Sequence, residues 1–253
     1  MAAIVGRTTL SLPEPDAAAR IALRVAFGAL LVWVIWLAVA FATLPNVGPA
    51  AGGADHTTLM DAARRWMSGG AFYLPDEVAG PYQLGIHDIL YPPTAIPFFA
   101  LFALLPSVLW WIIPIGIIGA VVAYWRPDLI GWIGILVCLA FPATWEVLAY
   151  GNPAMWIAAA IAAGTRWGWP AVLVALKPTL AAFMLLGIRR RSWWLAAALL
   201  AIVSVAFLPL WLDYAAVLLN ARGPRAGLLY SLRDLPLMLI PLVAWLTRRA
   251  TAR

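Results

Sequence analysis

The chain has 253 residues, 64% of them hydrophobic and 11% charged, with a mean hydropathy of +0.91. A soluble domain is nearer half apolar and a quarter charged, so these values exclude a soluble enzyme and predict an all-α, polytopic membrane protein of one helical domain. The net charge is +6, but the basic residues are scattered over loop ends, which suits anionic lipid and excludes a nucleic-acid partner.

In chain order, residues 1–20 carry Pro13, Glu14, Pro15 and Asp16 and predict a short cytoplasmic tail. The apolar run 21–44 is too long for a signal-peptide core of about 7–15 residues, so it predicts a retained first membrane helix. Residues 45–93 then form a polar loop holding both histidines and five of the eleven acidic residues. Within it, Gly52-Gly53-Ala54-Asp55 leads into an amphipathic interfacial helix from His56 to Met67, with Leu59, Ala62, Ala63, Trp66 and Met67 on its apolar side. The run 94–105, between Pro93 and Pro106, falls short of the roughly 20 residues a span needs and predicts an interfacial or re-entrant piece. Residues 107–124 make a fuller span. Four short pieces follow at 129–142, 153–165, 169–176 and 179–188, then fuller spans at 193–212 and 228–246 and a cytoplasmic tail at 248–253. The membrane domain is thus expected over 21–247.

Two topologies give about eight membrane helices. One counts 94–105 as a crossing and 169–188 as a single helix. The other leaves 94–105 external and splits 169–188 into two short crossings. The second gathers Arg126, Arg166, Arg189-Arg190-Arg191, Arg248 and Arg249 on the cytoplasmic side, as positive-inside bias prefers. It brings Asp55, Glu146, Asn152, Lys177 and Asp213 to the external side.

Several residues are candidates for chemistry, each with a plainer structural reading. Asp55 is either the N-cap of the loop helix or a carboxylate serving as general base at a membrane-facing cleft. Lys177 is the only lysine, set between apolar runs and followed by Pro178. It either snorkels to an interface or is a phosphate-binding cation presented at a helix break. Glu146 and Asn152 flank Tyr150-Gly151, as a polar connection or as ligand contacts. His56 and His87 lack metal-ligand spacing, which leaves them as exposed or substrate-contacting imidazoles. Arg64 and Arg65 are a solvated helix face or hold an anionic headgroup, and the external Arg222 and Arg225 carry the same two readings. Asp213 is read as ending the helix that precedes it. Cys138, the one cysteine, excludes an intramolecular disulfide and a cysteine metal site. The 15 tryptophans suit interfacial anchoring. Phosphate-loop, dinucleotide-binding and nucleophile-elbow motifs are absent.

The order of features resembles a known class. Asp55 precedes Ala62-Ala63, Gly69-Gly70 and Tyr73. Tyr91-Pro92-Pro93 then leads into a run ending Leu104-Leu105-Pro106, followed by Gly151-Asn152, Leu176-Lys177-Pro178 and Arg189-Arg190-Arg191. Over roughly 20–212 this is similar to the GT-C membrane glycosyltransferases, most of all to glycosyltransferase family 87, the polyprenyl-phosphate-mannose-dependent mannosyltransferases, shortened at the C-terminus. Gly151-Asn152 stands where that family often has Gly-Gln followed by Asn. The resemblance implies a GT-C-like fold in a bacterial inner membrane with its site on the external face. It implies Asp55 as catalytic base and a polyprenyl-phosphate-sugar donor near Lys177-Pro178. His56, His87, Tyr91, Arg64, Arg65, Glu146, Asn152 and Arg222 would surround the substrates. The acceptor would be a glycolipid or glycan hydroxyl; no metal and no cofactor beyond the lipid-linked sugar is expected, and a membrane-protein partner is compatible. A transporter or flippase, or a non-catalytic subunit, is the alternative.

Overall fold

A computed structural model describes residues 17–43, 53–85, 88–223 and 232–249. The remaining parts of both tails, the start of the polar loop, His87 and Arg225 therefore lie outside the described residues.

Helix α1, Ala17–Ala42, is apolar along its whole length and barely packed against the rest, exposing Ile21, Val25, Val32, Trp33, Ile35, Trp36 and Val39. Its 26 residues reach about 39 Å at 1.5 Å per residue, enough to cross a bilayer core. The protein is therefore membrane-associated. By length and composition α1 is the one clear span among the described residues, or one of up to three if each bent helix pair counts as a span.

The polar loop folds into helices α2, Ala54–Met67, and α3, Pro75–Ala79, and a two-residue strand β1, Tyr82–Gln83. After a 3-10 turn at Pro93–Ala95, helix α4, Ile96–Ala103, packs beside α2 and buries Ile96, Phe99 and Phe102. Phe98 and Phe102 meet Trp110 and Trp156 at ring separations of 4.7–5.7 Å. These contacts seat α4 across the starts of α5, Leu109–Trp125, and α8, Ala154–Trp167. Between them run α6, Leu129–Leu139, and α7, Pro142–Tyr150, bent by 65° where Pro142 begins the second helix.

From α8 the chain reverses at Gly168 into two 3-10 segments, Trp169–Leu176 and Pro178–Gly187, which lie against each other and against α8. A 3-10 helix rises about 2.0 Å per residue against 1.5 Å for an α-helix. Eight and ten residues therefore reach about 16 and 20 Å, close to the 21 Å of α8. This conformation lets short sequence pieces run the height of their neighbour.

Helix α9, Arg191–Ala206, runs along the first 3-10 segment, and α10, Leu208–Asn220, leaves it at 85°. The uninterrupted span expected over 193–212 is thus broken at Phe207, because Pro209 in the first turn of α10 starts a new helix. Asp213 lies inside α10 instead of ending a helix. Strand β2, Ala221–Arg222, pairs in parallel with β1, Tyr82 opposite Ala221, and Asn220 donates to the carbonyls of Glu77 and Val78 at 3.1 and 3.0 Å. Helix α11, Leu235–Leu246, closes the bundle against α8, α6 and α5.

The bundle has two chemically distinct poles. At one, the Arg166 guanidinium lies 4.0 Å over the Tyr124 ring, the Arg190 guanidinium donates to the Arg166 carbonyl, and the Arg248 guanidinium donates to the Trp245 carbonyl at 2.5 Å. Pro127 bridges to Arg248 beside them. Aromatic faces and helix-end carbonyls take up this positive charge. The opposite pole carries α2, α4 and the polar loop.

The two 3-10 segments meet at Gly187, where an added Cβ would overlap the Gly168 carbonyl oxygen and lie 2.7 Å from the Gly168 Cα. Gly187→Ala is expected to cost about 2 kcal/mol through forced separation of two backbones. Thermal unfolding in detergent measures it; Gly116→Ala, which meets nothing within 4 Å, is the control.

Candidate functional site

Gly53 is the N-cap of α2, with φ 55° and no side-chain cap bond, so Asp55 sits in the first turn and not at the cap. A carboxylate there is favoured by the unpaired amides and the helix dipole. Gly53 packs on the turn between α7 and α8. A Cβ at Gly53 would lie 2.6 Å from the Tyr150 carbonyl oxygen, and one at Gly151 would lie 2.6 Å from the Trp111 ring and 2.9 Å from His56 Cβ. Gly151 also has φ 69°, a left-handed cap conformation glycine adopts without strain. Trp110 and Trp111 lock the turn from below, donating to the Gly151 and Leu148 carbonyls at 2.7 and 2.6 Å.

This docking brings Asn152 to Asp55. Asn152 Oδ1 accepts from the Ala154 backbone amide at 2.9 Å, which orients the side chain so that Nδ2 donates to Asp55 Oδ2 at 2.6 Å. The amide holds one carboxylate oxygen by a charge-assisted hydrogen bond. His56 is buried against Trp110 and Trp111 at 5.6 and 5.1 Å, where it supports the α2–α5 contact.

Lys177 occupies the break between the two 3-10 segments, and its ammonium pairs with Asp234, both side chains being largely buried. The neighbouring Arg233 meets Glu146 of α7 at 2.6 Å. Sequence reasoning singled out Lys177 and Glu146 but missed Asp234 and Arg233. The available signal was the lysine itself, since a cation in apolar surroundings needs an acid. Leu176 and Pro153, the residues next to Lys177 and Asn152 in the chain, line one small apolar crevice with Tyr91, Phe99 and Trp156. Tyr91 accepts at its carbonyl from the Tyr73 hydroxyl at 2.7 Å.

The arginines have other tasks. Arg64 bonds Asp61 at 3.0 Å and reaches the Ala103 carbonyl at the end of α4, at 3.3 Å. Arg65 donates to the Ala71 and Phe72 carbonyls at 2.6 and 2.8 Å. Arg222 is exposed and donates to the Leu219 and Ala221 carbonyls at 2.5 and 3.0 Å. All three are drawn to backbone oxygens, and none joins the Asp55–Asn152 pair.

A cleft of about 380 Å³ runs along the outer side of α2, lined by residues that include Thr57, Thr58, Asp61, Arg65, Phe72 and Glu77. Glu77 is 2% exposed and accepts from the Leu74 amide at 2.9 Å. Burial, reinforced by Asp88 and Asp76 and opposed by the Leu74 amide, pushes its carboxyl up to about 7. Among the described residues no three metal-ligating side chains come together. No family model, curated protein or solved structure matches this chain.

Two outcomes follow. The folded Glu77 carboxyl titrates at about 7 and the unfolded one near 4.5, so the fold binds the extra proton between them. Stability from this group is full below about pH 4.5 and is lost as pH rises to about 7. Glu77→Gln keeps an acceptor for Leu74 and is expected to flatten that slope in thermal melts, gaining over wild type only on the alkaline side. Asp234→Ala leaves the Lys177 ammonium unpaired and is expected to cost about 3 kcal/mol in chemical unfolding, whereas Lys177→Met with Asp234→Leu recovers most of it.

Proposed function

We propose that this protein is a membrane glycosyltransferase of the GT-C type, resembling glycosyltransferase family 87, that moves a hexose, mannose being the first candidate, from polyprenyl phosphate to an acceptor hydroxyl. The observation that carries the proposal is the Asp55 carboxylate in the first turn of α2, oriented by the Asn152 amide on a glycine-packed turn. It has the form of a pre-positioned general base, a role worth roughly 100–10,000-fold in rate.

In this reading α1, α5, α6–α7, α8, the two 3-10 segments, α9 and α11 cross the bacterial inner membrane. The arginine pole faces the cytoplasm and the loop pole the exterior. The shorter segments are screened from lipid by their neighbours. Asp55 takes the proton of the acceptor hydroxyl, whose oxygen attacks the anomeric carbon. The bond from that carbon to the phosphate oxygen breaks, polyprenyl phosphate leaves, and configuration inverts. Lys177 exchanges Asp234 for the departing phosphate and neutralises the charge that develops on it. Glu146 and Arg233 flank that exchange. The chemistry needs no nucleotide and no metal; membrane lipids and the two substrates are the partners, with room for a membrane-protein partner.

One observation favours a second reading. A buried Lys177–Asp234 pair at a break between two helical segments is also what an alternating-access carrier places at its binding site. Flux of a lipid-linked sugar through proteoliposomes without covalent change would select that reading.

The test uses membranes containing the full chain, radiolabelled polyprenyl-phosphate-mannose and a glycan or glycolipid acceptor. Asp55→Asn is expected to abolish transfer at unchanged protein level. Asn152→Ala should lower kcat by about tenfold, and Lys177→Ala should raise the donor KM. Wild-type transfer by Asp55→Asn would sink the reading.

A further inference from the structure

Helix α10 takes no part in the crossings or the chemistry described above, yet it exposes a stripe of apolar side chains. Leu208, Leu212, Ala215 and Leu219 follow the i, i+4, i+7, i+11 spacing of one helix face, and the three leucines are 64%, 77% and 74% exposed. The opposite face is buried. Tyr214 meets the Tyr73 ring at 6.0 Å, and the Val217 carbonyl accepts from the Tyr82 hydroxyl at 3.4 Å.

Both ends of α10 are tied to the polar loop. Phe207, just before it, meets Trp66 of α2 at 5.7 Å, and Asn220, its last residue, donates to the Glu77 and Val78 carbonyls. The helix therefore runs across the loop pole and does not return toward the arginines. Helix α9, by contrast, starts at Arg191 beside the arginine pole and reaches the turn at Pro93–Ala95. The 85° angle between the two is pinned, since the Trp211 indole of α10 donates to the Ser204 carbonyl in the last turn of α9 at 3.2 Å. A helix perpendicular to a membrane crossing lies in the plane of the membrane. Helix α9 also exposes Leu195, Leu199, Ile202 and Val205, and Val205 stands three residues before Leu208, so the two apolar surfaces adjoin at the bend. Facing water, the α10 stripe would be an unfavourable patch; facing acyl chains, it continues the lipid contact of α9.

We propose that α10 is an in-plane anchor, its leucine stripe sunk among the lipids of the external leaflet where headgroups meet acyl chains. This rests on the membrane crossing of α9 in the transferase reading and on none of its chemistry. The same helix leads into β2 and holds α3 through Asn220, so the lipid surface sets the height at which the polar loop stands.

The experiment reads depth. In a Cys138→Ser background the chain has no other cysteine, and single cysteines replace Leu208, Leu212 and Leu219, with Leu199 and Val205 of α9 as rulers. Each is spin-labelled in nanodiscs of phosphatidylethanolamine and phosphatidylglycerol. Depth is taken from collision with oxygen against a water-soluble nickel chelate, and thermal melts check each fold. The three α10 labels are expected at one level, about 5–10 Å into the boundary between headgroups and acyl chains. Leu199 is expected about 9 Å deeper than Val205. Labels on α10 that meet nickel as freely as a site in water, or that deepen by about 17 Å from Leu208 to Leu219 as a crossing helix would, overturn the anchor. Dipolar coupling between labels on separate chains, without oxygen exposure, would give the face to a second copy and overturn it too. Level, shallow α10 labels with no gradient in α9 would uphold the anchor while removing the transferase topology.

Discussion

The molecule depends on one close approach, that of the α2 N-terminus to the turn between α7 and α8. Two glycines in left-handed or unusual backbone conformations face each other across the Trp111 ring, with no room for a Cβ on either. Two indole N–H groups hold the carbonyls of the same turn. Because the backbones touch, Asn152 reaches Asp55, and because the tryptophans belong to α5, the loop pole is anchored to the centre of the bundle. A larger residue at Gly53 or Gly151 would push against Trp111 and the neighbouring backbone and so separate the carboxylate from its amide.

Around that anchor, charge is sorted by position. Arg166, Arg190 and Arg248 meet helix-end carbonyls and aromatic faces at one pole, where the Arg126 and Arg249 backbones pair, while Asp55, Glu146, Lys177, Arg233 and Asp234 gather at the other. The 3-10 conformation of the two segments after Gly168 allows this, since the larger rise carries Lys177 back to the level of Pro153 in only eight residues. An α-helix of that length would fall about 4 Å short.

The apolar run made α1 legible, though the helix starts four residues earlier and ends two earlier than the run, and the spacing of Leu59, Ala63 and their neighbours located α2. Asp55 was legible as a residue of interest but not as a first-turn residue, because Asp after glycines carries the same signature as an N-cap. The 3-10 form was not legible, since apolar residues at every position suit both helix types. The break at Phe207 was signalled by Pro209, yet proline inside an apolar run also fits a merely kinked span. Asp234 and Arg233 were hidden by distance: their partners lie 57 and 87 residues away. Sequence periodicity reports local faces and not such pairings.

The parallel pairing of β1 with β2 has a consequence for the order of assembly. Tyr82 meets Ala221, and Asn220 reaches back 143 positions to the Glu77 carbonyl. Asp55 finds Asn152 across 97. The loop that carries the carboxylate emerges early in synthesis, but its contacts are supplied by segments made much later. Contacts of such sequence separation close late, after local helices have formed. The polar segment made first is thus fixed late, and the Asp55 carboxylate meets its Asn152 partner only after the chain has been made as far as α8.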